Sequence, residues 1–253
     1  MTHMLLTLLQ SGYYADSGSQ GIHYSAAMIG MYILIIVIGI AGYAVQARLQ
    51  SVFRKYSKVQ FPGGLTGAEV AEKMLRDNHI HNVKVTHVSG HLTDHFNPQT
   101  MTVNLSDSVY SSTSVAAAAV AAHECGHAVQ HAHAYAPLKM RSSLVPVISF
   151  ASNWMMWVLL IGMFTLNVFP QIMLFGIILF AATTLFSFIT LPVEIDASRR
   201  AVKWLSEAGV TNNRNYGAAV SALRSAAYTY VVAALGSLAT LLYYVMIFLG
   251  RRD

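Results

Sequence analysis

The sequence predicts a mainly α-helical, polytopic membrane protein with about four transmembrane helices and a small cytoplasmic α+β domain. Three observations predict it. Only 11% of the 253 residues are charged, against about 25% in a typical soluble domain. No Asp, Glu, Lys or Arg occurs in residues 17–47, 142–193 or 225–250. Lys and Arg instead concentrate in two intervening segments, nine in residues 47–143 and five in 194–224.

Each element follows from these blocks. A spanning helix needs about 20 mostly apolar residues. The first block holds one span, residues 26–46. The second is 52 residues long, room for spans at 144–166 and 171–193. Asn167, Val168, Phe169 and Pro170 form a turn between them, because Pro disfavours helix continuation. The last block supplies a fourth span, residues 228–249. Positive charge marks the cytoplasmic side, so residues 47–143 and 194–227 are expected there. Residues 1–25 carry no Lys or Arg and are expected outside. Their apolar run, MTHMLLTLLQ, lacks the basic start of a secretory signal and reads as an interfacial stretch or a lead-in. Four spans return the C-terminus outside, where Arg251 and Arg252 run against the rule, two residues against fourteen.

The net charge of +5 suits loops facing anionic lipid headgroups. No interleaving of aromatic and basic residues points to nucleic acid. A single cysteine, Cys125, excludes an intramolecular disulfide.

The first cytoplasmic segment reads in three pieces. Pro62, Gly63 and Gly64 make a turn, and Thr66 with Glu69 forms a capping box that starts a helix. Val70, Met74 and Leu75 give that helix its apolar stripe. Val83, Val85 and His87 alternate as in a strand. After a turn at Asn97, Pro98, Gln99 and Thr100, Met101, Val103 and Leu105 alternate again, so a small sheet ending in a hairpin is expected. The third piece opens with Ser and Thr caps near 111–114 and runs through alanines that favour helix. Such small side chains suit a tightly packed interior helix or one lying against membrane helices. The second cytoplasmic segment reads as helix, loop at 209–215, helix.

The alanine helix continues into AAHECGHAVQHAH, with four histidines and one glutamate in thirteen residues. His123 and His127 stand at i and i+4, with Cβ atoms about 5–6 Å apart on one helix face. Two imidazoles so placed can converge on one Zn²⁺ at about 2.0–2.1 Å each. Glu124 projects beside them and can activate a bound water. His131 lies on the same face, but eight residues of helix rise about 12 Å, too far to share the ion with His123. His133 stands where the metzincin pattern has its third His, but Gln130 replaces the pivotal Gly. Cys125 projects about 200° around the helix from His123 and reads as a small buried residue. The third ligand must come from another segment, a role that a Glu on a second helix commonly fills. Glu194, Asp196, Asp94 and Asp107 are the candidates. Glu194 is expected on the same side of the membrane as His123, an independent agreement.

Three tracts, AAHECGHAVQHAHAYAPLKMRSSLVPV, GHLTDHFNP and TLPVEIDASRRA, resemble those of the YugP-type neutral zinc metallopeptidases, bacterial membrane proteins. The resemblance runs from about residue 64 to residue 253. It implies a zincin-like cytoplasmic domain that uses one Zn²⁺ ion, with His123 and His127 as ligands and Glu124 as catalytic base. It favours Glu194 as third ligand. Related membrane gluzincins often carry an Asp four residues after that Glu, orienting a zinc-bound His. Here the position is Ser198, and Asp196 is the other candidate for the role.

The expected function is therefore zinc-dependent peptide-bond hydrolysis at the cytoplasmic face of the cell membrane. The partners it implies are protein or peptide substrates, membrane proteins among them, and the lipid bilayer, with membrane partner proteins or a homo-oligomer left open. The hairpin offers an edge strand that a substrate could extend, or is a self-contained polar turn. His91 and His95 are candidates to stabilise an oxyanion. His131 and His133 are left as partners of the site or polar residues at the helix end, and His79, His81 and His87 as surface or strand residues. Tyr228 and Tyr230 read as interface anchors. A metal transporter would need acids or histidines inside the spans, where there are none. A catalytically silent zinc-binding scaffold is the alternative, and the intact Glu124 argues against it.

Overall fold

The computed structural model describes residues 26–60, 63–209 and 213–250. The expected external segment 1–25, Pro62 of the first turn, residues 210–212 of the second cytoplasmic loop and residues 251–253 lie outside the described residues. The described chain is mainly helical with one small sheet. In order, its elements are α1 (Ala26–Tyr56), α2 (Gly67–Asp77), β1 (Lys84–Val88), β2 (His95–Asn97), β3 (Thr102–Ser106), α3 (Asp107–Tyr110), α4 (Val115–Ala132), α5 (Ala136–Phe164), α6 (Pro170–Glu207) and α7 (Asn213–Gly250).

Among the described residues, α1, α5, α6 and α7 are each long and apolar enough to cross a membrane. Pro170 opens α6, where its missing N–H leaves no helical bond unmade. At about 1.5 Å per residue, the 38 residues of α6 reach about 57 Å, well beyond a hydrocarbon core of about 30 Å. The helix runs on without a break from the charge-free stretch into Glu194, Asp196 and Arg200.

The chain divides into two compact units. Among the described residues, one comprises 26–41, 147–185 and 234–250. Leu159, Met173 and Ile177 form its buried centre. Gly162 lets α5 and α6 approach closely, since a Cβ there would fall 2.6 Å from the Met173 Cα. Its outer face carries exposed Ile33, Val37, Ile40, Phe150 and Trp157, an apolar surface suited to lipid.

The other unit comprises the described residues within 42–146 and 186–233. Its core joins α2 through Val70 and Met74, the sheet through Val103 and Leu105, α4 through its alanines, and the inner faces of α6 and α7 through Leu205 and Ala222. Thr66 caps α2 in a complete capping box with Glu69. Asn97 Oδ1 accepts hydrogen bonds from the Gln99 and Thr100 N–H groups and closes the turn between β2 and β3. The strand order is β1-β3-β2, with β2 antiparallel and β1 parallel to β3. The expected hairpin is thus β2–β3, and β1 joins its far side, leaving β2 at an edge. Ser114 caps α4 by accepting from the Ala117 N–H. Ala116–119, Ala121 and Ala122 are all buried, so the alanine run packs inside this unit.

Candidate metal centre

The site grows out of the packing of α4 on α6. Gly126 makes the contact possible, because a Cβ there would fall 2.6 Å from the Ala197 carbonyl oxygen. On one side of Gly126, His123 and His127 present rings 4.8 Å apart, centroid to centroid. α6 answers with Glu194. Its Oε2 lies 3.2 Å from His123 Nε2 and 3.6 Å from His127 Nε2. One ligand atom from each residue lies within 4.8 Å of the others.

The ring orientations fit a metal. Gln130 is fully buried. Its amide nitrogen donates to the Val193 carbonyl and to Asp196 Oδ2, both at 2.8 Å. Its Oε1 therefore remains as the acceptor facing His127 Nδ1 at 3.0 Å. That assigns the proton to Nδ1 and leaves the Nε2 lone pair directed at the Glu194 side. Arg200 Nε donates to Asp196 at 2.6 Å and anchors the chain of bonds. His123 Nδ1 contacts Ser198 Oγ at 3.2 Å. Two imidazole nitrogens and a carboxylate, each held from behind, make a donor set suited to zinc.

Glu194 is buried, with Arg141 Nη1 3.4 Å from its Oε1, which leaves Oε2 toward the imidazoles. Tyr230 on α7 also interacts with this carboxylate. Burial disfavours the charged form of His127. The pairing with Glu194 and the negative charges of Glu124 and Glu194 outweigh it, and the pKa of His127 is raised.

Glu124 is buried beside His123, and its Oε2 accepts from the Phe96 N–H at 3.0 Å. Edge strand β2 thereby fixes this carboxylate. His123 and Glu124 also form part of the wall of a cavity of about 560 Å³.

The other candidates stand outside the cluster of His123, His127 and Glu194. Asp94 accepts from the Ser106 N–H and hydroxyl, and Asp107 pairs with His87 at 2.6 Å. Asp196 reaches the centre only through Gln130. His131 stacks near Phe96, and His133 Nδ1 donates to the Val129 carbonyl at the end of α4. His95 bonds the Thr93 carbonyl and Asn104, whereas His91 lines the cavity. Cys125 is fully buried with its thiol 3.5 Å from the Ala71 carbonyl. Burial and the Glu124 charge push its pKa up.

Three residues escape the sequence reading. Gln130 stands at i+3 from His127, a same-face spacing that could have marked it as a partner. Arg141 and Tyr230 carry no comparable signal, since their helices reach Glu194 only through the fold. Tyr230 faces the cavity as well, beyond the anchor role expected of it.

Comparison with known proteins assigns a family. Residues 31–249 match the model of the family described as "Putative neutral zinc metallopeptidase". The chain is 42% identical over 228 residues to "Putative membrane protease YugP" of Bacillus subtilis (strain 168), covering 89% of this chain and 99% of that protein. No solved structure matches. A match across residues 31–249 and an identity of 42% establish that the chain belongs to this neutral zinc metallopeptidase family.

Proposed function

We propose that the protein is a membrane-embedded zinc endopeptidase that hydrolyses peptide bonds of protein substrates at the cytoplasmic membrane face. The observation that carries this reading is the convergence of His123, His127 and Glu194, with Glu124 held beside them by the Phe96 N–H. One zinc ion bound by those three side chains would polarise the scissile carbonyl and lower the pKa of a water molecule. Glu124 takes the proton from the attacking water and passes it to the leaving amine. Gln130 and Ser198 hold the two imidazoles in register. Arg141 holds Glu194 by its outer oxygen. Edge strand β2, whose Phe96 N–H is engaged by Glu124, can flank an extended substrate backbone. Nine and five basic residues in the two segments that build this unit support a cytoplasmic location and the span boundaries expected from the sequence.

The test is bound zinc and cleavage of an unfolded, casein-like substrate by detergent-purified wild type, Glu124→Gln and Glu194→Ala. Glu124→Gln should keep about one zinc per chain and lose about 10²–10⁴-fold in kcat/KM. Glu194→Ala should lose most of both. Normal cleavage by Glu124→Gln would refute the mechanism. Full zinc occupancy in Glu194→Ala would move the third ligand elsewhere. Zinc binding without cleavage in wild type would favour the silent scaffold.

A further inference from the structure

The cavity beside the imidazole pair bears on what the site would cleave. Its volume of about 560 Å³ lies within the roughly 300–1,000 Å³ typical of ligand pockets. Ala117 and Val120 line it from α4. They precede Glu124 by seven and four residues, on the same helix face. Phe53 of α1 and Leu223 of α7 complete an apolar lining, all within one compact unit. A charged side chain packed against this apolar part of the lining loses hydration that apolar groups cannot replace. A large apolar one fits. Because His123 and Glu124 are themselves part of the wall, a side chain that fills the end of the cavity beside them would flank the bond under attack.

Polar groups identify a peptide as the occupant. Arg54, Gln50, His91 and Asp94 line the same cavity. They offer donors and acceptors to a main chain, which a lipid acyl tail cannot use.

Resting on the peptidase reading, we propose that this cavity receives a bulky apolar side chain, such as Leu, Phe or Met, adjacent to the scissile bond. It thereby selects apolar stretches of unfolded or membrane-derived polypeptide as substrates.

The test uses the full chain in one detergent and has two arms. The first measures binding of fluorescent peptides by zinc-loaded Glu124→Gln. The peptides differ only at one central residue, Leu, Phe, Gly or Asp. Leu and Phe peptides should bind at least about ten-fold more tightly than Gly, the scale of discrimination in an apolar pocket. Adding Val120→Phe, which fills the cavity, should bring that ratio near one while one zinc per chain is retained. Partition into micelles is common to both proteins and cancels in the comparison. The second arm maps wild-type cleavage sites in a mixed peptide library. Leu, Phe or Met should flank the cut bond, and Phe53→Ala, which enlarges the cavity, should shift the preference toward Trp.

A Leu-to-Gly ratio near one in the first arm overturns the proposal whether or not the wild type cleaves. A ratio above ten with no cleavage defeats the peptidase reading and leaves the selective cavity standing. A co-purified lipid that the Leu peptide fails to displace also overturns it, in favour of an acyl chain as occupant.

Discussion

Gln130 is uncharged and never touches the ligand position, yet the orientation of His127 depends on it. Its amide N–H groups are spent on Val193 and Asp196, so only its oxygen faces the imidazole. Gln130→Leu should keep the helix and weaken zinc binding about 10–100-fold, read by competition with a chelator. Ser198→Ala, at the longer 3.2 Å contact to His123, should cost less. A second expectation follows from the charge around His127. Its pKa is raised in the metal-free protein. Protonation thus stabilises the metal-free fold below the ordinary His value of about 6.5, and this contribution is lost as pH rises through the folded pKa. Zinc needs the neutral ring, so its effect runs the other way. The increment in Tm on adding zinc should grow from pH 5 to pH 8, and a flat increment would exclude His127 as a ligand. Much at this scale was legible in sequence. Helix rise removed His131, Gln130 in place of the pivotal Gly removed His133, and helix angle removed Cys125. Arg141 and Tyr230 were illegible because no local spacing ties them to Glu194.

The site also depends on two helices touching at one glycine. Gly126→Ala places a methyl against the Ala197 carbonyl. Overpacking of this kind costs about 1–3 kcal/mol, and here relief requires α4 and α6 to separate. Glu194 would then move from the imidazoles. The variant should keep its helical circular dichroism and lose zinc, and wild-type zinc affinity would show that the contact is not decisive. What was readable among the elements was local. Thr66 and Glu69 announce the start of α2 because a cap uses only four residues. The Asn97 turn announces the β2–β3 hairpin in the same way. The parallel pairing of β1 with β3 joins strands fourteen residues apart and has no local signature. Nor does charge end a helix. The acidic tract follows Val193 in sequence, yet α6 runs on to Glu207, so one helix carries both the apolar stretch and Glu194.

For the whole molecule, the cytoplasmic location expected from the sequence rests on fourteen basic residues in two segments, a bias that sets orientation because moving such charges across the bilayer is costly. Labelling with a membrane-impermeant thiol reagent tests it. Cys125 is fully buried and its thiol pKa is pushed up, so it should stay unreactive and need not be removed. Lys58, Asn167 and Glu207 are exposed, and each can be replaced by Cys. Lys58→Cys and Glu207→Cys belong to the unit that holds the metal centre, and Asn167→Cys lies in the turn between α5 and α6. In intact spheroplasts the reagent should label Asn167→Cys and spare the other two. After lysis all three should react. Labelling of Lys58→Cys and Glu207→Cys in intact spheroplasts, with Asn167→Cys spared, would place the imidazole pair outside the cell, and a cytoplasmic substrate would then be out of reach. Labelling of Lys58→Cys without Glu207→Cys would require an odd number of crossings between them. Glu194 shares α6 with Glu207, so that result would also break the agreement in side that first favoured Glu194 as a ligand.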